Sequence, residues 1–281
     1  GAAIICSHYI GMKDKKGANK AARQVVLTVA VIAIVITIIG LLFRRPILSF
    51  IFGKVEQEVM DNAVTYFLYT ALSYPFLALF SAGSAIFRSC GNSRYPMVVS
   101  IISNLINVTG NAILMFGLNM GVAGAAISTL VSRIFCMVVI FIALSKPKLE
   151  IVVSQYYTIR PDFKLIASIL AIGVPSGIEN SMFQFGKLAI QSTVSTMGTA
   201  AIAAQAMTNI LENVNGIFGI GVGMCLMTVV GQCMGAGRKE EAKYYIVKLA
   251  GIAEVGIIVS CLLVFALVKP ITMLGLSLIH I

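Results

Sequence analysis

The chain has 281 residues, of which 58% are hydrophobic and 11% charged, and its mean hydropathy is +0.95. Soluble domains carry about 25% charged residues, so this composition excludes a soluble globular protein and places the chain in a lipid bilayer. A net charge of +10 would suggest a nucleic-acid partner in a soluble protein; none is expected here, because the loops account for the excess.

A helix needs about 20 apolar residues to cross the hydrocarbon core. After an apolar stub over 1–10, seven stretches qualify: Ala22–Phe43, Val59–Phe87, Tyr95–Gly117, Gly121–Ser145, Phe163–Thr196, Ala200–Met234 and Tyr244–Val268. Turn-forming runs separate them, at Pro46, RSCGNSRYP before Met97, Gly117–Gly121, Lys146–Pro161 and Thr196–Thr199. Pro75 and Pro175 fall inside apolar stretches, where each removes a helix hydrogen bond and is either a candidate bending point or simply tolerated.

The loops alternate in charge. One side receives Lys13, Lys15, Lys16, Lys20 and Arg23, then Arg88 and Arg94, then Lys146, Lys148, Arg160 and Lys164, then Arg238, Lys239, Lys243 and Lys248. The other receives only Arg44, Arg45, Lys54 and Lys269. The richer side is the cytoplasm. Arg133 and Lys187 remain within helices.

Ser7–Ile51 is echoed from Gly231 onward. Gly11 aligns with Gly235, Lys15 with Lys239, Ala18 with Ala242 and Pro46 with Pro270, each pair 224 positions apart without a gap. Both loop copies fall on the cytoplasmic side, which makes a parallel repeat about an axis along the membrane normal. The expected fold is an all-α integral membrane protein of two six-helix bundles related by this repeat and incomplete in the chain. Residues 1–150 would run from the end of the second helix to the sixth, and 151–281 would open the C-terminal bundle with helices seven to nine. A full protein of two halves of about 224 residues is expected, with this chain holding somewhat over half.

The six cysteines (Cys6, Cys90, Cys136, Cys225, Cys233, Cys261) form no CxxC pair, and His8 and His280 are far apart. Neither a disulfide framework nor a zinc site is indicated; the cysteines read as small apolar filler. GxSxG, HExxH and GxxxxGK[ST] are absent, so an enzyme is not expected and no cofactor is implied.

An ionised side chain at the bilayer centre is costly and faces protein or water. In the Phe163 stretch, Ser176, Asn180, Phe183, Lys187 and Gln191 recur at three or four residues, one helical stripe, with Glu179 at its edge. Glu179 is either half of a buried pair with Lys187 or a protonatable group lining a cavity. A separation of two turns, about 12 Å, favours the cavity. The next stretch carries Gln205, Thr208, Asn209, Glu212 and Asn213, then Gly216, Gly219 and Gly223; Glu212 is a second intramembrane acid and a partner for Lys187. Ser100, Asn104, Asn107 and Asn111 share a face, as interhelical hydrogen bonds or as cavity lining. Tyr66, Tyr69, Ser73, Phe76 and Phe80 form an aromatic face suited to packing or to organic cations. Glu254 has no assigned place.

The stretches Gly11–Ala18 (GMKDKKGA), Arg88–Pro96 (RSCGNSRYP), Asn104–Asn111 with Gly121–Thr129 (GVAGAAIST), Gly173–Pro175 and Val230–Ala242 (VGQCMGAGRKEEA) together resemble the MATE (multidrug and toxic compound extrusion) family over almost the whole chain. The resemblance implies twelve helices in two six-helix bundles, a central cavity open alternately to each side, and export of a drug coupled to return of Na⁺ or H⁺. One position departs from the family: its best-known branches carry the coupling acid of the seventh helix eight residues after the proline, where this chain has Phe183. Glu179 lies four after Pro175.

The expected function is therefore a secondary active exporter of organic cationic or aromatic drugs or metabolites, a multi-pass monomer of the bacterial inner membrane with lipid around it. The expected binding residues are Glu179, Asn180, Phe183, Lys187, Gln205, Glu212, Asn213 and Asn107, with no metal site other than Na⁺ at Glu179. Lipid-linked saccharide flipping on a related fold is the alternative, followed by an intramembrane enzyme or a channel.

Overall fold

Hydrocarbon offers backbone N–H and C=O groups no partner, so each apolar stretch must satisfy its own hydrogen bonds as a helix. The structure, a computed structural model, describes residues 1–52, 57–146, 151–153, 160–195 and 197–279, without the side chains of 50–52, 195, 199, 200, 203 and 268–279. Lys54, Lys148 and Thr196 lie outside the described residues.

The described elements are all helices. They are α1 (Ala2–Gly11), α2 (Lys15–Leu42), α3 (Arg44–Phe52), α4 (Gln57–Ser89), α5 (Arg94–Asn111) continuing as a π-helix (Ala112–Gly117), α6 (Gly121–Leu144), α7 (Phe163–Ser195), α8 (Thr199–Gly235) and α9 (Lys239–Ile279). Among the described residues, seven helices are long and apolar enough to cross a membrane. The protein is an all-α, multi-pass membrane protein.

Some boundaries move. α2 and α9 begin at Lys15 and Lys239, several residues before the apolar stretches, because polar first turns are helical without being apolar. Pro46 is not simply a break: it sits in the first turn of α3, where its missing N–H removes no helix bond. Pro75 and Pro175 lie within continuous helices, and α9 runs on past Pro270 to Ile279.

The echo between the two basic loops is also geometric. At the end of α1, Asp14 N donates to Tyr9 O (3.2 Å) and Lys13 N to Ile10 O (2.9 Å); at the end of α8, Arg238 N donates to Cys233 O (2.9 Å) and Gly237 N to Met234 O (3.1 Å). These are the 6→1 and 5→2 bonds of a Schellman cap, matched residue for residue. The left-handed position is Lys13 (φ 58°) in the first copy and Gly237 (φ 75°) in the second. A third such cap closes α4, with Gly91 at φ 75° and Asn92 N donating to Phe87 O at 3.1 Å.

The chain divides into two compact units, Ala2–Ile169 and Leu170–Ile281. In the first, α4 packs on α6 and α2, and α5 on α6. Small residues make the close approaches. Ala18, Ala21, Ala22 and Val25 are buried along α2, and Gly83 on α4 faces Ile140 and Leu144 of α6. Gly124 lets the start of α6 pass against the backbone of Leu114 in the π segment.

The segment before α7 is strapped to the polar first turns of α2. Asn19 Oδ1 accepts from Val152 N (2.8 Å), Gln24 Nε2 donates to Arg160 O (2.7 Å), and Asp162 N donates to Gln24 Oε1 (3.2 Å). Asp162 then caps α7, accepting from Leu165 N at 3.3 Å, while its other oxygen meets Lys20 Nζ at 2.5 Å. Ile151 and Val153 are fully buried. In the second unit α8 and α9 pack together. Ser260 Oγ donates to Asn215 Oδ1 (2.7 Å) and Asn215 Nδ2 to Cys261 Sγ (3.4 Å).

Candidate functional site

Two polar stripes meet in the second unit. Phe183, Gly186, Lys187, Ile190 and Gln191 recur on one face of α7, and Gln205, Asn209 and Glu212 on one face of α8. Together they line a cavity of about 360 Å³, within the size range of small-molecule pockets. Lys187 Nζ stands 3.0 Å from Glu212 Oε1, with the two side chains 37% and 50% exposed. Both side chains line the cavity. The Lys187 ammonium also lies 5.0 Å from the centre of the Phe183 ring, within cation–π range. Gln205 Nε2 reaches Asn209 Oδ1 at 3.4 Å.

Phe183, Lys187, Gln205 and Glu212 are thus brought together. Glu179, Asn180 and Asn213 are exposed and do not line this cavity. Asn180 turns back on its own helix, donating Nδ2 to Ser176 O at 2.8 Å. Among the described residues, no group of three or more His, Cys, Asp or Glu could hold a metal ion at Glu179 or elsewhere.

Asn107 belongs to the first unit, where it is both glue and lining. Its Nδ2 donates to Thr129 Oγ1 (3.2 Å), its backbone carbonyl accepts from Ser128 Oγ (2.9 Å), and its Oδ1 accepts from Asn111 Nδ2 (3.3 Å). It also borders a cavity of about 310 Å³ between α4, α5 and α6. Arg133 lines the same cavity; among the expected binding residues it has no place, although its charge in mid-helix is the signal that could have found it.

The MatE family model matches residues 1–113 and 175–277. The chain belongs to the MatE family. Similar MatE-type relatives include the probable multidrug resistance protein NorM of Thermotoga maritima, 25% identical over 249 residues, covering 86% of this chain and 52% of that protein. The probable multidrug resistance protein NorM of Oceanobacillus iheyensis is 29% identical over 250 residues, covering 86% and 55%. The chain spans about half the length of the curated relatives it matches. Among solved structures, an outward-facing multidrug resistance MATE transporter of the MOP superfamily superposes with a TM-score of 0.86 at 18% identity, over 98% of this chain and 60% of that one. A Pyrococcus furiosus MOP superfamily transporter, described as having a binding pocket of reverse polarity, gives 0.78 at 18% identity, over 91% and 57%. These likenesses establish the MatE fold for the chain.

Proposed function

We propose that the full-length protein is a secondary active exporter, exchanging Na⁺ or H⁺ for an organic cationic or aromatic compound by alternating access. The single observation carrying this reading is the Lys187–Glu212 pair beside the Phe183 ring in the cavity between α7 and α8. A carboxylate paired with one lysine holds no net charge. A proton or Na⁺ on Glu212 releases Lys187, and the positive charge of an organic cation competes for the same oxygen atoms. One carboxylate cannot serve both cations at once, and that exclusion is the physical basis of exchange. The ring and Ile190 supply the apolar surface an aromatic compound needs. Glu179, exposed on α7, is a second cation-binding carboxylate in this reading.

The names of the NorM relatives support drugs as the cargo. Ethidium efflux from cells expressing the full-length protein tests the reading. Glu212→Gln and Glu179→Gln should each reduce efflux; undiminished efflux in both removes the proposed roles. In proteoliposomes, ethidium movement against its gradient should require an imposed Na⁺ or proton gradient. Equal movement without either overturns coupling.

A further inference from the structure

The two basic loops share a helix cap but not a charge balance. In the second, Arg238 meets Glu241 at 3.3 Å, Lys243 meets Glu240 at 2.9 Å, and Lys248 Nζ donates to the Tyr244 hydroxyl at 3.1 Å. In the 224-residue register the places of Glu240 and Glu241 are held in the first loop by Lys16 and Gly17. Lys13, Lys15 and Lys16 are exposed, and no carboxylate among the described residues comes within ion-pair distance of them. Asp162 is occupied by Lys20, and Asp14 Oδ1 accepts from Gly17 N at 2.9 Å. One loop neutralises itself; the other keeps its charge.

That charge borders a cavity. A space of about 270 Å³ at the junction of α1 and α2 is lined by Ile10, Lys13, Asp14, Lys15 and Ala18. Gly17 lets the junction close up, because a Cβ there would collide with the Asp14 carboxylate and the Tyr9 ring. Asp14 is the one carboxylate of the lining, against two ammonium groups. Apolar surface adjoins them: Ile10 lines the cavity, and Met12, 52% exposed, stands beside Lys13 where the second loop has Ala236. Lys15 starts α2 about 9 Å before Ala21, where the apolar run opens, about the depth of phospholipid headgroups. Lysines beside exposed apolar side chains at that depth match a phosphate carried on acyl chains. Phosphatidylcholine would bring its own cation to the same lysines. Free phosphate would leave Ile10 and Met12 unused.

We infer that the cavity at the α1–α2 junction holds the headgroup of an anionic phospholipid such as phosphatidylglycerol. Lys13 and Lys15 contact its phosphate, and Ile10 and Met12 meet the glycerol end of its acyl chains. The site is separate from the Lys187–Glu212 cavity and does not rest on the exchange reading, because lipid occupancy can be read without transport.

The test is photolabelling of the full-length protein in phosphatidylcholine nanodiscs doped with a trace of phosphatidylglycerol or phosphatidylcholine, each carrying a diazirine next to the glycerol. Label on residues 9–18 is then quantified by mass spectrometry. Phosphatidylglycerol should label this segment about fivefold more than phosphatidylcholine. Lys13→Gln with Lys15→Gln should bring the two lipids within about twofold of each other, whereas Lys239→Gln in the second loop should leave the preference unchanged. Raising NaCl from about 0.05 to about 0.5 M should lower the preference in the wild type, because screening shortens the reach of the lysines; this arm needs no variant. Inorganic phosphate at matched ionic strength should not remove the preference, since it has no acyl anchor. Its removal by phosphate would assign the cavity to soluble phosphate and overturn the lipid assignment. Equal labelling by the two lipids in the wild type, or a preference that survives the double substitution, also overturns the inference.

Discussion

Lys187 of α7 and Glu212 of α8 meet at 3.0 Å across a cavity that both helices line, each with a third or more of its side chain open. Each is an intramembrane charge that the other compensates. Glu212→Gln and Lys187→Met should each lower ethidium efflux by the full-length protein. The double variant Glu212→Gln/Lys187→Met should stay inactive. Efflux restored in the double variant would show that only mutual neutralisation mattered, as in a structural ion pair.

The matched caps at Lys13 and Gly237 make opposite predictions for one conformation. A left-handed backbone costs a non-glycine residue about 1–2 kcal/mol. Lys13 pays that cost at φ 58°, and Gly237 avoids it at φ 75°. Lys13→Gly should raise the thermal stability of the full-length protein and Gly237→Ala should lower it, each by about 1 kcal/mol. A fall in both would mean that the Lys13 side chain contributes more than its strain costs.

The strap at Asp162 carries a pH dependence with a definite sign. The hydrogen bond from Lys20, aided by the Leu165 N–H, holds the Asp162 carboxyl below its ordinary value. A lowered folded value means that the contribution is complete above the unfolded value of about 3.9 and disappears as pH falls through the folded one. Asn caps helices as well as Asp, so Asp162→Asn removes the charge and keeps the cap. The melting temperature of the wild type should exceed that of Asp162→Asn by a constant margin above about pH 5, and the margin should shrink toward zero on acidification. A margin that grows on acidification contradicts the assignment.

Gly124 and Gly117 lie seven residues apart and should respond differently. A Cβ on Gly124 would stand 3.0 Å from the carbonyl carbon of Leu114 and 3.1 Å from its oxygen, backbone atoms that cannot step aside; one on Gly117 would meet nothing within 4 Å. Gly124→Ala should destabilise by about 1–3 kcal/mol, the usual cost of overpacking, whereas Gly117→Ala should be neutral or mildly stabilising. Thermal unfolding in detergent measures both.

Individual residues show how much of this was legible beforehand. The stripe of Phe183, Lys187 and Gln191 and the stripe of Gln205 and Glu212 were readable because helical periodicity puts such residues on one face whatever the helix packs against. Glu179, at the edge of its stripe, and Asn213, within its own, do not line the cavity, and periodicity could not say which residues of a stripe border it. Asn19 and Gln24 belong to no pattern singled out in the sequence. Their partners Val152, Arg160 and Asp162 lie more than 130 residues away, and no local pattern connects them.

The amino-acid order alone dictated seven spans and the 224-residue register of the basic loops, because the bilayer penalises unpaired backbone so heavily that composition and spacing leave few choices. Tertiary packing decided which charges are neutralised. Lys187 finds Glu212 on the neighbouring helix, while Arg133 donates to the hydroxyl of Ser73 on α4. Coulomb energy depends on distances of a few ångströms, and those are set by how helices pack, through contacts such as Gly124 against Leu114.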